Sequence, residues 1–386
     1  MAAPIRVAII GLSASAITSW ASTAHLPYLL SPRGRARYTI VALCNSSVDA
    51  ARAAIRAFDL PPEPATRAYG DPESLAADPD VDLVVCCTRV DVHYRTILPS
   101  VRTGKHVFVE WPLAQDEKRA RELVQAARGG GGRTLVGMQG RVAPPVVKLQ
   151  QLIGEGRIGK VLSSEVRAFG GSHDRERLAV GLKCFTELDI GGNIVTIGFG
   201  HLFDQIQHVL GDIQGLQSRL QLQRPGVVLI DPSTTKAVET TRSDVPDLVI
   251  ATGTLPATAT TQQGASIVIS YRRGQPFPNS PGLVWTINGE KGEVRLTAMG
   301  GPTLQSSAYT KPVTIEVHDF ASDSVESVPW EWDAWQEELP IPGRNIARLY
   351  ENFAEGKDNA TTPSAEDALK RHVQLGEILE AWTPPH

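Results

Sequence analysis

Five short apolar runs in the first 140 residues alternate with stretches of helical periodicity, and this alternation narrows the possible folds most. The runs are Ile5–Ile10, Tyr38–Leu43, Leu83–Cys87, His106–Val109 and Thr134–Val136. Helical patterns fall near Ser47–Phe58, Val92–Thr103 and Gln115–Arg128. A strand that is apolar along its length must be covered on both faces, which helical crossovers between parallel strands achieve. Ligands of such sheets bind outside the carboxyl ends of the strands. Gly129–Gly132 reads as plain loop before the last strand.

Beyond about Gly140 the pattern changes. A helix over Val146–Glu155 leads to longer strands at Val161–Phe169, around Ile267–Tyr271, at Leu283–Ile287 and at Val294–Leu296. Asn288-Gly289 and Lys291-Gly292 supply a tight turn, so the last two read as an antiparallel hairpin. One long helix, about Asn193–Leu210, interrupts the strands, and Ala365–Trp382 reads as a closing helix. Pro225–Pro256 is poorly patterned and reads as a long loop. The expected fold class is α/β: a parallel sheet over 1–140, then an α+β domain over 141–386 with a large, mainly antiparallel open sheet. With 386 residues, 42% of them hydrophobic, the chain has enough apolar material for two cores.

The charge pattern excludes some partners. The net charge is −4 and the 38 Lys and Arg are scattered, so no nucleic-acid surface is expected. No apolar run approaches the roughly 20 residues that span a bilayer, so no membrane partner is expected either. Cys44, Cys86, Cys87 and Cys184 lack CxxC spacing and read mainly as buried hydrophobes in a reducing compartment. Strand-like sequence begins almost at once, without the regions of a signal peptide, so the expected location is the cytoplasm.

The chemistry gathers at the strand ends. Gly11-Leu12-Ser13-Ala14-Ser15-Ala16 follows the first strand, where a Gly-x-Gly-x-x-Gly phosphate loop would lie. Gly11 would make the tight turn, Ser13 would still let a pyrophosphate approach, and Ala16 would permit close packing. The second strand ends at Asn45-Ser46-Ser47, with no carboxylate for ribose hydroxyls, which favours NADP over NAD; Arg52 or Arg56 could meet a 2′-phosphate. Alternatively, a serine there simply caps the next helix. The run Thr88-Arg89-Val90-Asp91-Val92-His93 offers Thr88 and Arg89 as nucleotide contacts, Asp91 as a helix cap, and His93 as either a nicotinamide neighbour or a packed ring. The fourth run ends in Glu110-Trp111-Pro112, which is also assigned to the cofactor site.

These pieces, in their joint order, resemble the Gfo/Idh/MocA oxidoreductase family. Further matches are Ala24-His25-Leu26-Pro27, Val136-Gly137-Met138-Gln139, Ile153 to Gly159, Gly191-Gly192, Gly200-His201-Leu202-Phe203-Asp204 and the Gly289–Gly292 turn. The resemblance implies a Rossmann domain, a C-terminal domain built on a large open sheet, and homodimers or higher oligomers through that sheet. It also implies NADP or NAD as cofactor and oxidation or reduction of a sugar-, polyol- or ketone-like small-molecule substrate.

Two departures bear on chemistry. The family's Glu-Lys-Pro here carries Trp111 in place of its lysine, and its Asp-x-Gly-x-His appears as Thr196-Ile197-Gly198-Phe199-Gly200-His201, one residue longer and without the aspartate. The Glu-Trp pair and the Gly-His-Leu-Phe-Asp helix look closest to the fungal galactose-repressor-like branch. That likeness implies an alternative, a nucleotide-binding regulator that holds a protein partner without turnover; a non-redox isomerase or lyase is a second alternative. An indole has one N–H donor and no usable acid or base, so Trp111 could shape or stack but not protonate. The expected proton relay is His201, with Lys183 as a replacement for the missing lysine and Asp174 and Asp189 as weaker options. His201, Asp204 and His208 share a helix face and could ligate a metal, but an Asp204–His208 pair beside a pocket histidine accounts for them without one. Tyr271-Arg272-Arg273 could bind an anionic substrate group or end a solvated strand.

Overall fold

The computed structural model describes residues 3–15, 20–170, 174–357 and 361–384. By its internal contacts the chain forms two compact units, Met1–Gln139 with Asp189–Gly192 and Ala334–His372, and Gly140–Leu188 with Asn193–Asp333 and Val373–His386. The sequence-based division at residue 140 did not anticipate that Ala334–His372 folds with the first unit.

The first unit holds six parallel strands: β1 (Ile5–Ile10), β2 (Tyr38–Cys44), β3 (Arg67–Tyr69), β4 (Leu83–Cys86), β5 (His106–Glu110) and β6 (Thr134–Gly137). Their order is β3-β2-β1-β4-β5-β6. Strand order reverses between β1 and β4, which opens a crevice at the carboxyl ends of those strands. The central strands are apolar on both sides because helices cover both: Val7, Ala8, Ile9, Val84, Val85, Val107, Phe108 and Val109 are fully buried. Ser47 caps the helix Val48–Ala57 by accepting from the Ala50 amide at 3.1 Å.

Gly129–Gly132 is not plain loop. Gly129 and Gly130 close the helix Glu117–Gly130, and Gly131 is its left-handed cap. A Cβ on Gly130 would lie 2.2 Å from the Val101 carbonyl oxygen, and one on Gly132 would lie 2.2 Å from that of Lys105. Glycine is required there by close backbone approach. The helix Ile341–Ala354 also packs into this unit, where Tyr350 stacks on Tyr28 at 5.4 Å and its carbonyl accepts from Tyr38 Oη at 2.6 Å.

The second unit is built on an eight-stranded sheet. From one edge the strands are Ser324–Val328, Val313–Asp319, Gly292–Ala298, Leu283–Gly289, Val161–Gly170, Thr261–Arg273, Leu248–Thr254 and Gln214–Gln221. Every neighbouring pair is antiparallel except Val161–Gly170 with Thr261–Arg273. Alternation sorts the residues: Val166, Ile267, Ile269, Trp285, Ile287, Val294 and Leu296 are buried, whereas Arg167, Val268 and Arg295 are exposed.

The expected loop over Pro225–Pro256 contains three strands, Gly226–Ile230, Ala237–Arg242 and Leu248–Thr254. The first two join Arg177–Ala179 in a three-stranded sheet. Ala237–Arg242 is exposed along nearly its whole length, so its residues carry no burial periodicity to read.

Candidate functional site

Gly11 makes the turn out of β1 at φ +93°, and its amide donates to the Cys44 carbonyl at 3.1 Å. A Cβ there would lie 2.9 Å from Thr88 Cγ2 and 3.0 Å from the Cys87 carbonyl oxygen. The ends of β1 and β4 are therefore drawn together at a point only glycine fits. Ser13 is partly exposed, and its hydroxyl lies 3.1 Å from that of Ser15. Ala16 lies outside the described residues.

Asn45 takes a role the sequence did not suggest. Its amide donates to the Leu12 carbonyl at 2.9 Å, so it ties the end of β2 to the Gly11 turn. Ser46 is exposed beside it, and Ser47 is the helix cap. Arg52 pairs with Glu63 at 3.1 Å instead of standing ready for a phosphate. Arg89 makes bonds of 2.6 and 2.7 Å to Asp91, which hold the Asp91 carboxyl below its ordinary range. Asp91 is thus an ion-pair partner in the first turn of the helix Val90–Arg102, not its cap.

His93 is packed. Its two ring nitrogens lie 2.9 Å from the carbonyl oxygens of Pro112 and Thr88. Both nitrogens can donate only when the ring is charged, and burial pushes its pKa down. The ring therefore braces the β4 loop against the β5 loop and faces main chain at both nitrogens.

At the end of β5, Glu110 accepts from His25 Nε2 at 2.7 Å, and His25 Nδ1 lies 2.8 Å from the Tyr350 hydroxyl. With Nε2–H donating to the carboxylate, Nδ1 can accept from the Tyr350 hydroxyl. The three groups come from the π-helical segment Ala21–His25, from β5 and from the helix Ile341–Ala354. A Cβ on Gly137 would lie 2.7–3.0 Å from the Glu110 carboxyl atoms, so β6 also needs its glycine. The sequence offered His25 only as part of a family pattern and gave no signal for Tyr350, which is more than 300 residues away.

Trp111 is 5% exposed, and its ring meets that of His372 at 5.0 Å. Burial pushes the His372 pKa down to about 4, so the imidazole is neutral near pH 7. Its Nε2 has no hydrogen-bond partner among the described residues. Sequence reading missed His372, which lies in a helix assigned only a closing role.

In the second unit, the segment Ile194–Phe199 is π-helical and continues into the α-helix Gly200–Leu210. A π turn takes up one more residue than an α turn, which accommodates the extra residue before His201. Thr196 stands where the family pattern has aspartate, and its hydroxyl accepts from the Asn193 amide at 3.0 Å in a capping box. His201 is buried in the first turn of the α-helix. Asp204 accepts two bonds from the Arg141 guanidinium, at 2.9 and 2.8 Å, with both side chains 3% exposed. No group of three or more His, Cys, Asp or Glu side chains that could hold a metal ion occurs among the described residues.

Lys183 does not suit the missing lysine's place. It is half exposed and pairs with Glu239 at 2.7 Å, which raises its pKa, the wrong direction for a proton donor near neutrality. Tyr271 is buried with its hydroxyl beside Gly198, where a Cβ would lie 2.4 Å away. Asp174 accepts from the amides of Glu176 and Arg177, as a loop residue does.

The groups around the crevice suit a nucleotide. Turn backbone at Gly11–Ser13 and the exposed Ser46 hydroxyl suit phosphate and ribose oxygens, the Ser13 and Thr88 hydroxyls lie 3.1 Å from that of Ser15 and 3.4 Å from Cys86 Sγ, and no carboxylate from the end of β2 opposes a phosphate there. Glu110 and Trp111 follow the end of β5, next to β4, and both are buried.

Comparison with known proteins bears on the family and the fold. Residues 5–138 match the oxidoreductase family with an NAD-binding Rossmann fold, and residues 144–298 match the Gal80p C-terminal domain. The chain is 31% identical to dehydrogenase aclE of Aspergillus oryzae, over 99% of this chain and 97% of that protein. It is 27% identical to the galactose/lactose metabolism regulatory protein GAL80 of Saccharomyces cerevisiae, over 92% of this chain and 83% of that one. The crystal structure of a super-repressor mutant of Gal80p from the same yeast superposes with a TM-score of 0.84 at 25% identity, covering 98% and 96% of the two chains.

Proposed function

The chain belongs to the Gfo/Idh/MocA family of NAD-binding oxidoreductases, near its Gal80 branch, and from that membership we propose a nicotinamide-dependent oxidoreductase acting on a small hydroxyl- or carbonyl-bearing metabolite. The observation that carries this reading is the Gly11 turn packed against Cys87 and Thr88 where strand order reverses. A sugar-, polyol- or ketone-like compound is the proposed substrate.

A bound nicotinamide would give or take the hydride. The chain's own residues have separable tasks. Gly11 and Ser13 offer backbone and hydroxyl to the pyrophosphate, and Asn45 holds their turn in place through Leu12. Thr88 and Ser46 offer hydroxyls to the ribose. NADP is favoured over NAD because the end of β2 carries Asn45 and two serines and no acid. Trp111 shapes the wall and excludes water beside Glu110. His201 moves the proton at the substrate oxygen, since Trp111 has no proton to give and Lys183 is engaged by Glu239. The exposed face of the eight-stranded sheet is the proposed contact between copies, and the cytoplasm is the proposed location; no helix among the described residues is long and apolar enough to cross a membrane.

One observation favours a second reading. Trp111 fills the position of the family's lysine with a buried ring packed on a neutral histidine, and GAL80, a regulatory protein, is 27% identical. A nucleotide-binding regulator that holds a protein partner would keep the crevice and need no acid. Deuterium transfer separates the two. Protein incubated with deuterated NADPH or NADH and a fractionated metabolite extract should label a product, with loss of label in His201→Ala. Tight nucleotide binding with no transferred deuterium would overturn the enzyme in favour of the regulator.

A further inference from the structure

Groups from distant parts of the first unit meet at the carboxyl end of β5. Glu110 is the last residue of that strand and is 9% exposed, and its Oε1 accepts from His25 Nε2 at 2.7 Å. Its Oε2 accepts from no donor among the described residues. The carboxyl group lies against the end of β6, where a Cβ on Gly137 would sit 2.7 Å from Oε2. A largely buried carboxylate oxygen without a donor is costly, and a donor from a ligand would offset that cost. β5 lies beside β4, whose end packs on the Gly11 turn. The Glu110 charge acts on Cys87, which follows β4, and on His93. The carboxylate thus stands among the residues at the carboxyl ends of these strands.

Tyr350 governs what His25 offers that carboxylate. The Tyr350 ring is fully buried and is held by Phe108 at 5.1 Å, Tyr38 at 5.2 Å and Tyr28 at 5.4 Å, so its hydroxyl has little freedom to turn aside. Burial pushes its pKa well above the ordinary value, so the hydroxyl keeps its proton. Among the described residues the acceptor for that proton is His25 Nδ1, 2.8 Å away. A ring nitrogen that accepts leaves the imidazole proton on the other nitrogen, so Nε2 carries the N–H that faces Glu110. Without the Tyr350 hydroxyl, no group among the described residues fixes this choice. The other tautomer would turn a lone pair towards the carboxylate.

We propose that Tyr350 is a positioning residue of the nucleotide site: acting through His25, it holds Glu110 in place with Oε2 left to a hydroxyl or amide donor of a bound nicotinamide nucleotide. This role rests on the nicotinamide reading above and adds to it a residue of the helix Ile341–Ala354. A purely structural Tyr350 would affect stability alone. A positioning Tyr350 also changes how tightly the folded protein holds the nucleotide.

The test is titration of NADPH and NADH into the full-length protein and its variants, read by intrinsic fluorescence, with urea unfolding run alongside. Glu110→Gln keeps the shape but replaces an acceptor with a donor, and it should weaken both nucleotides about tenfold. Tyr350→Phe should weaken them about fivefold. The double variant should bind no more weakly than Glu110→Gln alone, because both changes act on one contact. Tyr38→Phe removes a neighbouring buried hydroxyl that donates to the Tyr350 carbonyl; it should lower stability and leave nucleotide affinity unchanged. Long-range proton–nitrogen NMR of the unliganded wild type, with His25 assigned by its loss in His25→Gln, should show the proton on Nε2 and none on Nδ1. That tautomer and the Glu110→Gln loss decide the matter if Tyr350→Phe fails to fold. No nucleotide binding by the wild type would overturn the nicotinamide reading and this role with it. Wild-type binding with unchanged affinity in Glu110→Gln or Tyr350→Phe, additive losses in the double variant, an equal loss in Tyr38→Phe, or a proton on Nδ1 would overturn this role alone.

Discussion

Removing Asp204 should be among the most costly single changes in the second unit. The Arg141 and Asp204 side chains are each 3% exposed and share two charge-assisted bonds of 2.9 and 2.8 Å. Asp204→Ala takes two charge-assisted bonds from a buried guanidinium, which costs about 3–5 kcal/mol. The double replacement Arg141→Met with Asp204→Leu removes both charges and fills the space, so it should recover most of that loss. Urea titrations read by far-UV circular dichroism supply the stability, and hydrogen exchange over residues 200–210 supplies the local opening, since two units need not unfold as one. Added salt should change the wild-type value little, because burial shields the pair from screening. A loss below about 1 kcal/mol in Asp204→Ala, as for an exposed pair, would refute the reasoning.

Other outcomes follow from the same geometry. His372 titrates near 4 in the folded chain against an ordinary 6.5, so between these values the unfolded chain holds a proton that the folded one lacks. Its contribution is intact above pH 6.5 and falls by about 3 kcal/mol as the pH drops to 4; His372→Gln should flatten that slope in urea titrations from pH 4 to 7.5. Tyr350→Phe removes the donor to His25 Nδ1 and should cost about 1–3 kcal/mol in the same assay, with little change if the contact is dispensable. Lys183→Met should leave deuterium transfer unchanged, because Lys183 is engaged in an exposed pair with Glu239; a large loss of transfer would restore it as the proton source.

The parallel sheet was legible because its central strands are apolar on both faces, a signal written in consecutive residues. β3 was not, since Arg67–Tyr69 is a three-residue, half-buried edge strand. The strands between Gly226 and Thr254 were hidden for a related reason: Ala237–Arg242 faces solvent and its residues look like loop. Long-range partnerships were wholly invisible. Nothing local marks Tyr350 as the third member of a hydrogen-bonded chain with His25 and Glu110, or His372 as the ring beside Trp111. At the site itself, Gly11 was readable from its place after β1. Asn45 was picked out as a polar residue near a crevice, yet its amide is spent on a main-chain carbonyl, whereas His93 takes the packed one of the two roles its position offered. Polarity near a crevice does not tell a sequence reader which way a side chain turns.

The central claim, that a nicotinamide nucleotide is held at the carboxyl ends of β1 and β4 where strand order reverses, is tested most directly by titrating NADPH and NADH into wild-type protein and Gly11→Val. Valine at φ +93° is strained and its Cβ would press on Thr88 and the Cys87 carbonyl. The account predicts saturable binding to the wild type, tighter for NADPH, and a loss of about 100-fold or more in the variant while the fold persists. Absence of binding to the wild type, or equal binding to a folded Gly11→Val, would contradict it.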